Sequence, residues 1–335
     1  MKNSVLLLIA FFALSSCNPT AVDPPPPPLD PAPETMYFPP LASTAWEQVS
    51  PEVLGWETNN EQQLFDFVQA RGTKSFIILK KGRLVYEKYF DAQTVTSNWV
   101  WYSAAKTLTA TTIGIAQQEN LLDINTKTSD YLGTGWTSMT VAQENEITIK
   151  NHLSMNTGLD ETTDWACYTP ACFTYKAPVN SRWAYHQGAY TILQDVVATA
   201  TSTTFENYFN TKLKEPIGMD GEWFVFNGNL HLFKSTGRSM ARFGLLMLNQ
   251  GNWDGNTVLS NTTYFDEMTN TSQTRNKSYG YLWWLCGKES FMTTENQTVY
   301  SGSLIPNAPD DTFCALGYQG QKIYVIPSQD LVIRD

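Results

Sequence analysis

The chain has 335 residues, 42% of them hydrophobic and 13% aromatic, with 11 Trp and 16 Tyr, which excludes disordered and fibrous classes for most of its length. Its 22 Lys and Arg face 32 Asp and Glu for a formal charge of -10, so nucleic acid is excluded as a partner for want of a basic footprint. At about 100–200 residues per domain, this length fits one large domain or two lobes.

Lys2 precedes ten consecutive apolar residues, Val5 to Leu14. At about 1.5 Å per residue such a run is too short to cross a bilayer core, but it suits the apolar stretch of an export signal. Leu14-Ser15-Ser16-Cys17 then resembles a bacterial lipoprotein lipobox, which implies a signal peptide over residues 1–16 and lipid on the thiol of Cys17. An ordinary secretory signal followed by an incidental Cys is the alternative. Asn18 resembles the sorting pattern of outer-membrane lipoproteins, so the expected location is the bacterial cell envelope, lipid-anchored at the outer membrane and facing the periplasm or the surface. Residues 17–40 hold Pro24 to Pro28 unbroken, then Pro31, Pro33, Pro39 and Pro40. Fixed φ and missing donors make this an extended polyproline stalk between anchor and body.

The body is expected over residues 41–335. Ser75 to Leu79 and Leu84 to Phe90 flank Lys80-Lys81-Gly82-Arg83 and read as a hairpin. Ala104 to Gln118 has apolar residues at helical spacing. Further helical patterns cover Ile149 to Met155, Ala189 to Ala200, Phe205 to Leu213 and Ser239 to Asn249. Strand patterns return at Tyr279 to Leu285, Phe313 to Leu316, Ile323 to Ile326 and Leu331 to Ile333. Strands at both ends with helices between predict an α/β (α+β) fold: one α/β lobe from about 41–124 and 274–335, with a helical lobe of about 125–273 inserted. No internal repeat is present.

Four Cys remain after Cys17, and export permits disulfides. The expected pairs are Cys167 with Cys172, in a short loop-like stretch, and Cys286 with Cys314, on neighbouring strands; free buried thiols are the alternative. No Cys-x-x-Cys supports a zinc or thioredoxin reading.

Neither Gly-x-Ser-x-Gly nor His-Glu-x-x-His occurs, and the three histidines, His152, His186 and His231, read as structural or exposed. The string that carries chemistry is Ser103-Ala104-Ala105-Lys106. Residues three apart share a helix face, so the Lys106 amine can reach the Ser103 hydroxyl. Burial disfavours the ammonium and leaves a neutral base, and the helix N-terminus favours a developing oxyanion. Chance placement predicts roughly one such spacing, and Ser103 as a plain N-cap is the alternative. It is the one Ser-x-x-Lys in the chain, and it opens the first long helix after the hairpin.

There the sequence resembles the serine β-lactamase and penicillin-binding-protein superfamily, particularly its class C-related esterases and linear-amide (6-aminohexanoate-dimer) hydrolases. Similar strings follow in order: Gln118-Glu119-Asn120-Leu121-Leu122-Asp123-Ile124, Tyr131-Leu132, and Ile147-Thr148-Ile149-Lys150-Asn151-His152-Leu153-Ser154-Met155-Asn156-Thr157-Gly158-Leu159. The likeness spans about residues 45–333. It implies an antiparallel sheet flanked by helices with an inserted helical lobe, as in β-lactamases and transpeptidases.

The family's second motif, Tyr-x-Asn, resembles Tyr185-His186-Gln187, with Tyr190 a competing candidate. A phenol near Lys106 would ionise more easily and shuttle a proton. Gln187, expected to contact Lys106 or the substrate in place of the usual Asn, keeps an amide but adds a methylene. The third motif, Lys-Thr-Gly or His-x-Gly, falls on Ala315-Leu316-Gly317, or in another register on Tyr318-Gln319-Gly320. Gly317 would permit close approach of substrate, and the N–H groups of Ser103 and Tyr318 would form the oxyanion hole. Ala315 and Leu316 lack the polar groups that help hold a β-lactam carboxylate. Some of Trp99, Trp101, Trp165, Tyr168, Trp183, Trp283 and Trp284 are expected to wall an acyl pocket, most to be core.

The resulting expectation is a serine hydrolase that cleaves an ester or amide through an acyl-enzyme, without metal or cofactor, on a small-molecule ester or amide or a cell-wall peptide. A β-lactamase or D-alanyl-D-alanine peptidase is one alternative, and an inactive penicillin-binding-like envelope-binding module another. The chain stops at Asp335 directly after a strand pattern, where relatives continue into a helix; another surface is then expected to cover that sheet face, or the sequence is truncated.

Overall fold

Every side chain of Ser75–Lys80 but the last is buried, whereas Arg83–Tyr89 alternates, which marks a first strand covered on both faces and an edge strand beside it. The computed structural model describes residues 31–226 and 230–335. The signal over 1–16, Cys17 and the Pro24 to Pro28 run lie outside the described residues.

Six antiparallel strands form the main sheet: β1 (Ser75–Lys80), β2 (Arg83–Tyr89), β3 (Trp284–Leu285), β4 (Phe313–Gly317), β5 (Gln321–Ile326) and β6 (Leu331–Arg334), in the order β2-β1-β6-β5-β4-β3. Both ends of the chain therefore build one sheet. Tyr279 to Gly280 does not join β3, because Leu282 has a left-handed backbone and the Gly280 N–H bonds the Trp283 carbonyl, folding the segment into a tight turn.

One face of the sheet packs Ile77, Leu79, Ile323, Val325 and Val332 into the main core, where helix α4 (Gly237–Leu248) lies against it. Helix α4 thus belongs to the sheet layer although its sequence position falls inside the expected helical lobe. The opposite face, with Phe76, Ile78, Tyr86, Ile326 and Leu331, is covered by Phe65 and Val68 of helix α1 (Glu61–Ala70). A helix from the start of the body thus occupies the face that the final strand leaves open.

The end of the proline-rich segment packs on the body. The Tyr37 N–H bonds the Lys81 carbonyl at 2.9 Å, and the Arg242 guanidinium donates to the carbonyls of Pro39 at 3.2 Å and Pro40 at 2.8 Å. The boundary therefore falls before residue 40, since proline carbonyls remain good acceptors for a buried guanidinium.

A second, three-stranded sheet joins Trp99–Val100, Leu230–Ser235 and Glu222–Phe226. It delivers the chain into helix α2 (Lys106–Gln118), which helix α3 (Gln187–Thr201) packs against. Helix α2 is buried from Lys106 to Ala116, so its threonines have no water; Thr107, Thr111 and Thr112 instead donate back to carbonyls of the preceding turn at 2.7, 2.9 and 2.8 Å.

Cys167 and Cys172 are joined as a disulfide, whereas Cys286 and Cys314 are free buried thiols. The second pairing is corrected by register: Cys314 lies opposite Trp284, so Cys286 is its diagonal neighbour. Diagonal positions are about 7–8 Å apart, beyond the usual ~4.4–6.8 Å Cα span of a disulfide.

Candidate active site

Ser103 sits in a single tight turn, Tyr102–Ala105, that runs directly into α2. Tyr102 before it has φ +49, a left-handed conformation that costs a non-glycine residue about 1–3 kcal/mol. Its hydroxyl donates to Gln319 Oε1 at 3.1 Å and its ring meets the Tyr318 ring edge-on at 5.6 Å. Two contacts from the far strand thus hold the bend that presents Ser103.

Lys106 begins the helix one turn on and is 1% exposed. Its Nζ lies 3.0 Å from Ser103 Oγ and donates to Gln187 Oε1 at 2.7 Å. No carboxylate pairs with it among the described residues. Burial holds the amine well below its ordinary pKa. A neutral amine has a lone pair to accept the Ser103 proton across that 3.0 Å contact. The longer side chain of Gln187 therefore still reaches the lysine.

Tyr185 lies beside the pair, with Lys106 Nζ 4.9 Å from its ring centre and Trp284 stacked on it at 6.1 Å. Burial pushes its phenol above the ordinary range, and the Ser103 hydroxyl offsets only part of that rise. Easier ionisation is therefore corrected: burial favours the protonated phenol, and burial likewise disfavours the charge on Lys106 that would have stabilised a phenolate. Tyr190 packs its ring 4.1 Å from Lys106 Nζ, but its hydroxyl is committed to the His231 carbonyl at 2.8 Å. Of the two candidates, that leaves Tyr185 as the phenol on the cleft.

Gly317, at the end of β4, lines the cleft and also meets the turn that carries Ser103. A Cβ there would collide with the Trp101 carbonyl and sit 3.1 Å from the Ala104 N–H, so the missing side chain lets the strand dock on the turn that carries Ser103. Gly320 in the alternative register meets nothing nearer than Lys322 Nζ at 4.0 Å, so no close approach requires it. Ala315 is fully buried in the core, while Leu316, Gly317 and the largely exposed Tyr318 face the cleft.

The cleft over Ser103 holds about 560 Å³. Leu316, Leu304, Met292, Trp284 and Tyr185 form an apolar wall, and Glu161, Thr163, Asp164 and Trp165, just ahead of the Cys167–Cys172 disulfide, form the other. Trp165 and Trp284 are the cleft tryptophans; Trp101, Trp183 and Trp283 are core. The carboxylates of the loop and the Met292–Leu304 hairpin were missed from sequence, and the short disulfide spacing was the one available signal.

The histidines are structural. His152 is buried between Thr128 Oγ1 and the Ala189 carbonyl, and burial drops its pKa to about 3. The His186 Nδ1 caps α3 by accepting from the Ala189 N–H at 3.1 Å, and His231 bonds Gln194 at 2.7 Å. Among the described residues no cluster of His, Cys, Asp and Glu could hold a metal ion, and no helix is long and apolar enough to cross a membrane.

An antiparallel sheet built from both termini, with a Ser-x-x-Lys turn at the head of a buried helix, defines the β-lactamase and penicillin-binding class of fold. The β-lactamase family model matches residues 61–333, and the chain belongs to that family. A protein named as a 6-aminohexanoate-dimer hydrolase from Bacillus anthracis shares the fold at 19% identity, covering 91% of this chain and 81% of that one with a TM-score of 0.63. A class C β-lactamase from Rhodobacter sphaeroides (12% identity, 83% and 93% covered, TM-score 0.60) and a penicillin-binding protein from Bacillus halodurans (15%, 81% and 94%, 0.60) share it as well. No curated protein sequence matches the chain.

Proposed function

We propose that this chain is a serine hydrolase that cleaves an ester or amide through an acyl-enzyme. Membership of a hydrolase family supports the coarse reading. One observation carries the finer one: a buried, unpaired Lys106 amine 3.0 Å from Ser103 Oγ. Ser103 Oγ bonds to the carbonyl carbon as its proton passes to Lys106 Nζ. The N–H groups of Ser103 and Tyr318 hold the oxyanion. Collapse breaks the bond to the leaving group, which takes a proton through Tyr185, and water then releases the acyl group by the reverse relay. Gln187 positions the lysine through its 2.7 Å bond.

Turnover of β-lactams and D-alanyl-D-alanine peptides is disfavoured by Leu316, which puts an alkyl group where those substrates need a carboxylate partner. A binder without turnover would have no use for a neutral amine beside a hydroxyl. The deciding experiment is labelling by a serine-directed fluorophosphonate, read as intact mass. Wild type gains one adduct and Ser103→Ala gains none; an adduct persisting in the variant overturns the assignment. Nitrocefin and a short-chain p-nitrophenyl ester assayed side by side separate the substrate classes, with turnover expected for the ester.

We further propose that Cys17 carries lipid and that residues 18 to about 33 tether the domain to the envelope membrane. The lipobox-like string and the proline run support this. Incorporation of labelled palmitate, lost in Cys17→Ala, is the expected result; equal labelling of the variant refutes it.

A further inference from the structure

The charge of the cleft is uneven in a way that the catalytic groups do not require. Its charged lining consists of Glu161 and Asp164, and no Lys or Arg lines it. Burial works to raise the Glu161 carboxyl, but Arg182, bonded to both its oxygens, outweighs burial and holds it ionised. Neighbouring Asp160 faces Lys176 at 3.4 Å. Asp164 alone of these three carboxylates has no basic partner among the described residues; one oxygen accepts from the Ala166 N–H at 3.0 Å.

Next to it, Trp165 is 58% exposed and lies on the cleft wall, and across the mouth Tyr318 is 71% exposed. A free carboxylate beside an exposed indole face is a receptor for a cation, because charge attraction and the ring quadrupole act on the same group. The chain just after Trp165 is tied to the body by the Tyr168 hydroxyl on Asp195 of α3, within the short loop that the Cys167–Cys172 disulfide closes. An anionic substrate would meet the Asp164 carboxylate with nothing in the cleft lining to compensate it.

We propose, resting on the serine-hydrolase reading, that this cleft selects esters or amides bearing a protonated or quaternary amine, bound between Asp164 and Trp165 while the scissile carbonyl lies over Ser103. The test uses three p-nitrophenyl esters of matched shape: γ-trimethylammonio-butyrate, its uncharged tert-butyl isostere, and the glutarate monoester. A second arm, acetylthiocholine against its tert-butyl isostere, places the charge on the leaving group. Expected is a preference in kcat/KM for the cation over its isostere of roughly five- to twentyfold in at least one arm, with the anion slowest. The preference is carried by KM and weakened by added salt. Asp164→Asn brings the ratio of cationic to neutral rates toward one, and adding Trp165→Ala removes the remainder. Equal turnover of cation and isostere in both arms, or a ratio undisturbed in the double variant, overturns the selection and leaves the hydrolase reading intact. Absence of all turnover, together with no phosphonate adduct on Ser103, overturns both.

Discussion

The nucleophile turn and the loop over residues 160–172 face each other across one cleft and are built on opposite rules. In the first, Lys106 is buried and bonded to both Ser103 and Gln187, and Tyr185 is packed on Trp284. In the second, Asp164 and Trp165 are open to water, and the Asp164 carboxylate has no basic partner among the described residues. Bond-making chemistry needs a dry, fixed environment, because a neutral lysine exists only where water cannot solvate its ammonium. Recognition needs surface that is free to meet a ligand.

The sharpest way to break that contrast is to change Lys106. Lys106→Met is expected to lower kcat/KM by roughly 10⁴-fold or more while raising stability by about 0.5–2 kcal/mol, since it removes a buried polar amine. Ester turnover and thermal melts measured together check it; an active Met variant would sink the mechanism. Acidity acts on the same group. The folded-state pKa of Lys106 lies well below the ordinary 10.5 of the unfolded chain. In the window between the two, the unfolded chain binds the extra proton, so wild-type stability rises with pH there and the Met variant loses that slope. Activity follows the same sense, falling about tenfold per pH unit below the lowered pKa.

Tyr185→Phe keeps the stack on Trp284 and deletes only the relay. A loss of about 10²–10⁴-fold in kcat is expected, with the melting temperature nearly unchanged. Single-turnover kinetics would show which half-reaction slows, and an unaffected kcat would hand the relay to another group. Gly317→Ala tests whether the strand positions the nucleophile. Its Cβ collides with the Trp101 carbonyl, so about 1–3 kcal/mol of stability and roughly 10²-fold of activity should go together. Calorimetry beside the ester assay reads both. The smallest effect on chemistry belongs to the recognition side. Replacing Cys167 and Cys172 by Ser costs about 2 kcal/mol by chain entropy and raises KM more than it lowers kcat. An equal fall in kcat would mean that the two sides of the cleft are not separate.

Much of the fold was legible because its signals are local. The hairpin, the buried helix α2 and the closing strands all show their period within a few residues, and Ser103 and Lys106 are one turn apart where a tight turn runs into α2. Other features are set by residues far away. Gln187 meets Lys106 across 81 positions. The Cys286 and Cys314 segments do pair, as expected, yet the register sets the two residues diagonally and their neighbouring thiols stay unbonded as a disulfide, and register cannot be read from spacing. The turn at 280–283 was hidden because aromatic residues buried all round show no alternation to read.

From its sequence alone the chain could specify a Ser103–Lys106 pair as the candidate nucleophile and base, the order of its motifs and a sheet made from both ends, because each depends on residue type and short-range periodicity. Only the folded structure decided that the lysine is buried with no carboxylate beside it, that Tyr185 rather than Tyr190 faces the serine, that Gly317 serves docking, and that Asp164 stands without a basic partner. Those depend on burial and on which distant groups come within a few ångströms, and desolvation and charge pairing act over that range.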